Sequence, residues 1–326
     1  MRHLLIHRAV RLLYVVLGAF AFAAACAQDA YPNKPIRLVV PAVPGGSSDI
    51  ISRTLAKVMS EQNGVPVIVD NRPGASGTIG SAAVARMPPD GYSFLLSDGT
   101  IALYPLMAPS PYTLEKDLIP VMQVTSTHFV FAVHPKLGVN SMKDFVAQAA
   151  KQPGKFTYST PGNGSLGHLV METIKNRSGV FVLHVPYRGA APALQAVLAQ
   201  EVDITVTSPA SLKGFVERGQ LKAIGFTGTT RTSVLPSVPT MGEQGFQDME
   251  LSAWWGVFLP AGVPPAVSDK LTAMLTSALR SPEFTRQAAA LSLDVTPIAG
   301  RDFSQKIARE NAGWRQMIEA VKIRLD

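Results

Sequence analysis

A short aliphatic run, Ile36-Arg37-Leu38-Val39-Val40, stops at Pro41 and leads into the turn Pro44-Gly45-Gly46-Ser47-Ser48-Asp49. Beyond it, Ile50, Ile51, Leu55, Val58 and Met59 recur at helical spacing. The apolar period thus switches from that of a buried strand to that of an amphipathic helix across one glycine-rich loop. The switch then repeats. A strand over Val65–Val69 closes at Asn71-Arg72-Pro73-Gly74, the loop Ala75-Ser76-Gly77-Thr78 opens a helix through Ala82, Ala83 and Val84, and Phe94-Leu95-Leu96 forms a third strand. Strand, helix, strand, helix, strand over about 60 residues dictates a parallel sheet covered by its crossover helices.

A second stretch has the same grammar. Phe129–Val133 and Phe156–Ser159 read as strands around a helix at Met142–Ala150. The loop Thr160-Pro161-Gly162-Asn163-Gly164-Ser165 then feeds a helix carrying Leu169, Val170 and Ile174. A strand at His184–Tyr187, a helix at Ala191–Leu198 and strands at Val202–Val206 and Leu221–Phe226 follow. After Trp254–Leu259 the chain turns helical, at Pro265–Leu279 and Phe303–Val321. The chain's 326 residues suit roughly two domains of about 150. No low-complexity linker separates the halves, so two lobes sharing more than one crossing strand are expected.

Export is written at the start. Arg2, Arg8 and Arg11 precede an apolar run, Leu12–Ala25, and Ala25-Cys26-Ala27 is a small-x-small cleavage site, so residues 1–27 read as a signal peptide. Cys26 is the only cysteine, which makes a lipoprotein the rival reading. Cleavage after Ala27 leaves a chain with neither disulfide nor thiolate chemistry. Three Lys/Arg and no acids lie in that segment, so the formal +7 falls to about +4 for the remainder. With no basic stripe, nucleic acid is excluded as a partner. No later stretch supplies the ~18 apolar residues of a membrane span.

The candidate chemistry sits in the loops. Glycines at 45, 46, 162 and 164 let backbone amides approach a ligand. Each loop ends at a helix start, where up to about four N–H groups lack partners and the dipole favours an anion. Ser47, Ser48 and Ser165 add hydroxyls. The competing structural reading makes Ser48 or Asp49 a helix cap, worth ~1 kcal/mol. Asp49 is also a candidate for a ligand ammonium, and His168, one helical turn past Ser165, for a ligand contact. Neither loop matches a nucleotide motif. Around Ser165 the hydrolase elbow G-x-S-x-G fails because Asn163 replaces its first glycine. His128, His134 and His184 lack zinc-site spacing. No cofactor is expected. Of Trp254 and Trp255, one is expected in the core and one at the surface.

These segments together resemble the Bug receptors, the substrate-binding proteins of tripartite tricarboxylate transporters. The similarity runs from Tyr31–Pro41, Pro44–Asp49 and Arg53 through Asn71–Ala75, Ile79-Gly80, Pro89–Tyr92, Tyr158–His168 and His184–Gly189 to Trp255-Gly256 and Pro260–Pro264. The resemblance implies a two-lobed periplasmic binding protein of Venus-flytrap type. Each lobe would be an α/β, mixed, mostly parallel sheet flanked by helices, with two crossing strands at Phe129–Val133 and Trp255–Leu259. The lobes would be residues 28–127 plus 251–326, and 128–250. A small carboxylate (dicarboxylate, tricarboxylate or aromatic acid) would lie in the cleft, which closes on binding. By motif match the ligand-binding positions are Gly45, Gly46, Ser47, Ser48, Asp49, Ser76, Gly77, Thr78, Thr160, Gly162, Asn163, Gly164 and Ser165, with His168 and Thr207 added. Thr207 stands near where the family often carries an acid, which points to a ligand without an ammonium group. The expected partner of this monomer is a membrane permease of the tripartite type or a sensor kinase. The alternative is an exported hydrolase using Ser165.

Overall fold

The computed structural model describes residues 31–321 apart from 188, 248 and 250. The export segment 1–27, with Cys26, lies outside the described residues.

The chain opens with β1 (Ile36–Val40), α1 (Ser47–Asn63), β2 (Val67–Asn71), α2 (Thr78–Ala85) and β3 (Ser93–Asp98). Helix α1 ends where Gly64 turns left-handed and its N–H returns to Ser60 O. Next comes β4 (Leu118–His128), which runs through Phe129 directly into β5 (Val130–Val133). The second unit continues as α3 (Met142–Lys151), β6 (Thr157–Thr160), α4 (Leu166–Ser178), β7 (Leu183–Pro186), α5 (Ala190–Leu198), β8 (Ile204–Thr207), α6 (Pro209–Glu217) and β9 (Lys222–Phe226). The chain returns in β10 (Ser252–Pro260) and ends with α7 (Pro265–Leu279), α8 (Pro282–Ala290), β11 (Asp294–Ala299) and α9 (Gly300–Val321).

Two mixed sheets result, ordered β11-β4-β10-β3-β1-β2 and β7-β6-β8-β5-β9. The pairs built by βαβ crossovers, β1 with β2 and β3 and β6 with β7 and β8, are parallel. Strands next to a passage between the sheets are inserted antiparallel: β10 against β3 and β4, β5 against β8 and β9. Each passage is made at a strand end, since β5 pairs wholly within the second sheet and β10 wholly within the first.

Thr227 ties the two passages together. Phe129 N–H donates to its Oγ1 at 2.9 Å, and its hydroxyl donates to Leu251 O at 2.6 Å.

Both faces of both sheets are covered, as buried parallel strands require. Along β1, Leu38 and Val40 join a core with Leu55, Met59 and Leu275 under α1 and α7. Val39, facing the other way, joins Leu95, Trp254, Phe258 and Phe303 under α2 and α9. In the second sheet, Val130 and Ala132 pack with Leu194, Val197 and Leu212, while Phe131 and Val133 share the opposite face with Phe145 and Tyr158. Each fully buried Leu, Val or Phe stabilises the fold by ~1.5–3 kcal/mol. Trp254 and Trp255 are both buried, contrary to the expectation of one surface residue, because each indole N–H has a partner: Glu310 Oε2 at 2.7 Å and Ser48 Oγ at 2.8 Å.

Candidate functional site

Parallel strands deliver their carboxyl ends to one edge of a sheet, and ligands of open α/β sheets bind there. A cleft of about 340 Å³ occupies that position, between the two sheets. Pro41 and Ala42 follow β1, Pro73 and Gly74 follow β2, Ser97 and Asp98 end β3, and residues 161–165 follow β6. Ser48, Ser76, Gly77 and Thr100 complete the wall. A larger cavity of about 400 Å³ lies beside α4 and α9, away from these strand ends.

In the first loop, Gly45 has φ +90°, and Gly46 precedes α1 with no side chain capping the helix. Amides of the first turn are therefore free of side-chain acceptors. Asp49 is buried and turned inward. Its carboxylate accepts from Gly45 N–H at 2.9 Å, Arg53 Nε at 3.0 Å and Asn71 Nδ2 at 3.0 Å. Burial pulls its pKa up, but donation from Arg53, Gly45 and Asn71 outweighs this and holds it below the usual carboxylate range. It shapes the loop and is not part of the cleft wall. Ser48 does reach the wall, with its Oγ accepting from Trp255 Nε1–H.

The second loop is unusual in its backbone. Gly74, Ala75, Ser76 and Gly77 all have positive φ, two of them without being glycine. Strain of that kind persists only where packing fixes it. Gly80 presses on the carbonyl of Arg72 and on Pro41 so closely that a Cβ would lie 2.7 Å from the former. Ser76 and Gly77 line the cleft, whereas Thr78 is buried with its hydroxyl donating to Ala75 O at 2.9 Å.

The third loop carries Gly162 at φ +146° and Gly164 at φ +70°. Gly162, Asn163, Gly164 and Ser165 all line the cleft. Ser165 caps α4, its Oγ accepting from His168 N–H at 3.3 Å. His168 lies beneath the loop: its Nδ1 accepts from Gly164 N–H at 3.1 Å. Thr160 is buried, with its Oγ1 2.7 Å from His184 Nε2. The rings of His168, His184 and Tyr158 form a stack. Burial pushes His184 down to about 3, helped by His168 and Lys175, and lowers His168 despite the nearby Glu172. Both imidazoles are thus neutral at neutral pH.

The structure therefore brings Ser48, Ser76, Gly77, Gly162, Asn163, Gly164 and Ser165 to one cleft. Gly45, Gly46, Ser47, Asp49, Thr78, Thr160, His168 and Thr207 are not in its wall. Ser97, Asp98 and Thr100 belong to it and escaped the sequence reading. Their only signal was the turn Ser97-Asp98-Gly99-Thr100 after an apolar run. Burial raises the pKa of Asp98 against two hydrogen bonds from Thr100. His168, one helical turn past Ser165, has its Nδ1 lone pair engaged by the Gly164 N–H. Among the described residues no group of three or more His, Cys, Asp or Glu comes together, and no helix is long and apolar enough to cross a membrane.

Comparison with known proteins agrees with the two-sheet α/β fold. The family model described as "Tripartite tricarboxylate transporter family receptor" matches residues 51–323. BugT of Bordetella pertussis is 32% identical over 323 residues, covering 96% of this chain and 98% of its own. The structure of the periplasmic binding protein BugD superposes with a TM-score of 0.79 at 30% identity, covering 90% of this chain and 99% of that one. An R. palustris protein with adipate gives a TM-score of 0.81 at 28% identity, covering 90% and 99%.

Proposed function

The chain belongs to the tripartite tricarboxylate transporter receptor family, and from that premise we propose that it is an extracytoplasmic solute receptor holding a small carboxylate in its interlobe cleft. One observation carries the reading: Ser48 in the first turn of α1 and the glycine-rich loop 162–165 that opens α4 line the same cleft. Such helix starts hold an anion through amides and the helix dipole without a cationic side chain. Adipate in a relative of like fold supports a dicarboxylate, with tricarboxylates and aromatic acids as the neighbouring classes. We read Ser48, Ser76, Gly77 and the loop 162–165 as the ligand-binding residues. Residues 28–127 with 251–326 form one lobe and 128–250 the other, closing as a monomer after export to the periplasm. The protein acts by binding and handing over its ligand, not by catalysis. Its partner is a tripartite-type permease, a sensor kinase being the second reading.

The test is thermal unfolding of the purified protein, refolded once to strip retained ligand, against mono-, di- and tricarboxylates, aromatic acids and amino acids. Free ligand at 100 times its Kd stabilises by ~2.7 kcal/mol, several degrees for a chain of this size. A selective rise with one acid class is expected. A flat response across the panel overturns the receptor reading.

A further inference from the structure

Asp98 is an acid for which carboxylate binding by itself provides no task. It ends β3 in the wall of the cleft, half-buried between Ser97 and Thr100. Its Oδ1 accepts the Thr100 N–H at 3.0 Å. That turn bond is made equally well by Asn or Ser, so it does not require a charge. Among the described residues nothing forms an ion pair with Asp98; its carboxyl is hydrogen-bonded by Thr100, and its charge is felt by the buried Tyr112 phenol. The described wall of the cleft contains no Lys, Arg or His.

A carboxylate ligand brings a second negative charge into this space. Like charges at close range in a poorly solvated site disfavour each other, so one must be neutralised. Burial raises the pKa of Asp98 and so favours neutralisation, but a proton supplies it at neutral pH only if held roughly three pK units above the ordinary Asp value. A cationic nitrogen on the ligand has no such requirement and makes a charge-assisted hydrogen bond. The strand register favours that arrangement. Asp98 pairs across β3 and β10 with Trp255, whose indole N–H reaches Ser48 in the first glycine loop. The acid and the amide-rich loop are thereby tied to one residue, as suits a ligand with its ammonium beside its carboxylate.

We propose that Asp98 is the specificity-determining residue of the cleft and pairs a ligand ammonium, so that the receptor takes an amino acid. The proposal rests on the receptor reading above and narrows its ligand class. It also replaces the expectation drawn from Thr207: that residue is buried at the end of β8 and absent from the cleft wall, so the lack of an acid there does not set the ligand's charge.

The experiment is titration calorimetry of the refolded protein with matched pairs: L-glutamate and glutarate, L-aspartate and succinate, L-phenylalanine and 3-phenylpropionate, L-leucine and 4-methylpentanoate. In the best-binding pair the amino acid is expected to bind at least about tenfold tighter than its deamino partner. Asp98→Asn should bring that ratio close to one while holding the deamino acid as tightly or more tightly. Asp98→Glu, which keeps the charge, should preserve the sign of the preference. A wild-type preference for the deamino member, or a preference that survives Asp98→Asn unchanged, overturns the assignment and leaves the carboxylate receptor standing. If no member of any pair binds, both readings fall. The wild-type comparison does not depend on either variant folding.

Discussion

The imidazole rings of His168 and His184 lie face to face, 4.0 Å between centroids and 12° from parallel. The stack supports the cleft loop, since His168 Nδ1 accepts Gly164 N–H and His184 Nε2 lies 2.7 Å from Thr160 Oγ1. Protonation would place two like charges in contact and remove the acceptor beneath Gly164. Both folded pKa values are lowered, His184 to about 3, whereas an unfolded His titrates near 6.5. The unfolded chain therefore binds more protons below about pH 6.5, and stability falls as pH drops from there toward 3. Because His184 is only half-buried and solvent screens it, a loss on the order of 1 kcal/mol between pH 7 and pH 5 is expected. Denaturant midpoints at the two pH values measure it, and His184→Gln should reduce the drop. A midpoint that does not move sinks this account of the stack.

The bond from Trp255 Nε1–H to Ser48 Oγ, 2.8 Å long, fixes a cleft hydroxyl from a buried strand. Trp255→Phe keeps most of the apolar volume and removes the donor. A neutral hydrogen bond of this kind contributes ~1 kcal/mol. Ligand affinity should fall about 3- to 10-fold with a comparable loss in unfolding free energy. Titration with the acid that best stabilises the wild type checks this; unchanged affinity would show that Ser48 does not contact the ligand.

Much of this architecture can be read from the residues, and the exceptions have physical causes. β1, α1 and α7 carry clean periodicity; the expected bounds of β1 and α7 are the observed ones, while α1 runs on to Asn63, past its last expected apolar position, Met59. The longest strand, β4, is hidden. Its run Leu-Ile-Pro-Val-Met-Gln-Val-Thr-Ser-Thr-His has no alternation, because it is buried on both faces and its polar side chains are only partly satisfied, Thr125 Oγ1 and Gln123 Oε1 being buried without a partner among the described residues. Gln123 bonds Thr296, and Thr127 bonds Ser292 O. β11 is hidden for a different reason: it is a half-exposed edge strand interrupted at Pro297, where its register against β4 shifts. In the site, glycines announce the backbone of three loops. Whether a side chain such as Asp49 or His168 faces the cleft or supports it depends on neighbours distant in sequence. Asp98 enters the wall only because β3 is paired between β1 and β10.

Gly80 and Gly313 should respond in opposite directions to alanine. At Gly80 a Cβ would lie 2.7 Å from the Arg72 carbonyl and 2.9 Å from Pro41 Cβ, both rigid neighbours. The substitution must displace the strained 74–77 loop and is expected to destabilise by ~1–3 kcal/mol and weaken ligand binding. Gly313 is exposed in α9, and a Cβ there would meet open space, so Gly313→Ala should stabilise by ~0.5–1 kcal/mol. Unfolding midpoints decide both, and a Gly80→Ala protein of wild-type stability would mean that the loop is not wedged against Pro41.

Thr227 is where a motion of the lobes would have to be absorbed. Its side chain is 1% exposed and joins both passages between the sheets, accepting from Phe129 N–H and donating to Leu251 O. Its own N–H donates to Phe129 O at 2.9 Å. Hinges are a few residues at element ends that take up the dihedral change while the packed bodies stay intact. The break between β4 and β5 at Phe129 fits that description. Saturating ligand is therefore expected to close the cleft and reduce the radius of gyration in solution scattering. Thr227→Val matches the shape and removes both side-chain bonds, leaving a buried donor and acceptor unmet at a cost of ~1–3 kcal/mol each. That variant should unfold earlier and bind more weakly, because the two lobes no longer hold a fixed hinge. Scattering curves that coincide with and without ligand would rule out closure, and the cleft would then have to be a preformed site in rigid lobes.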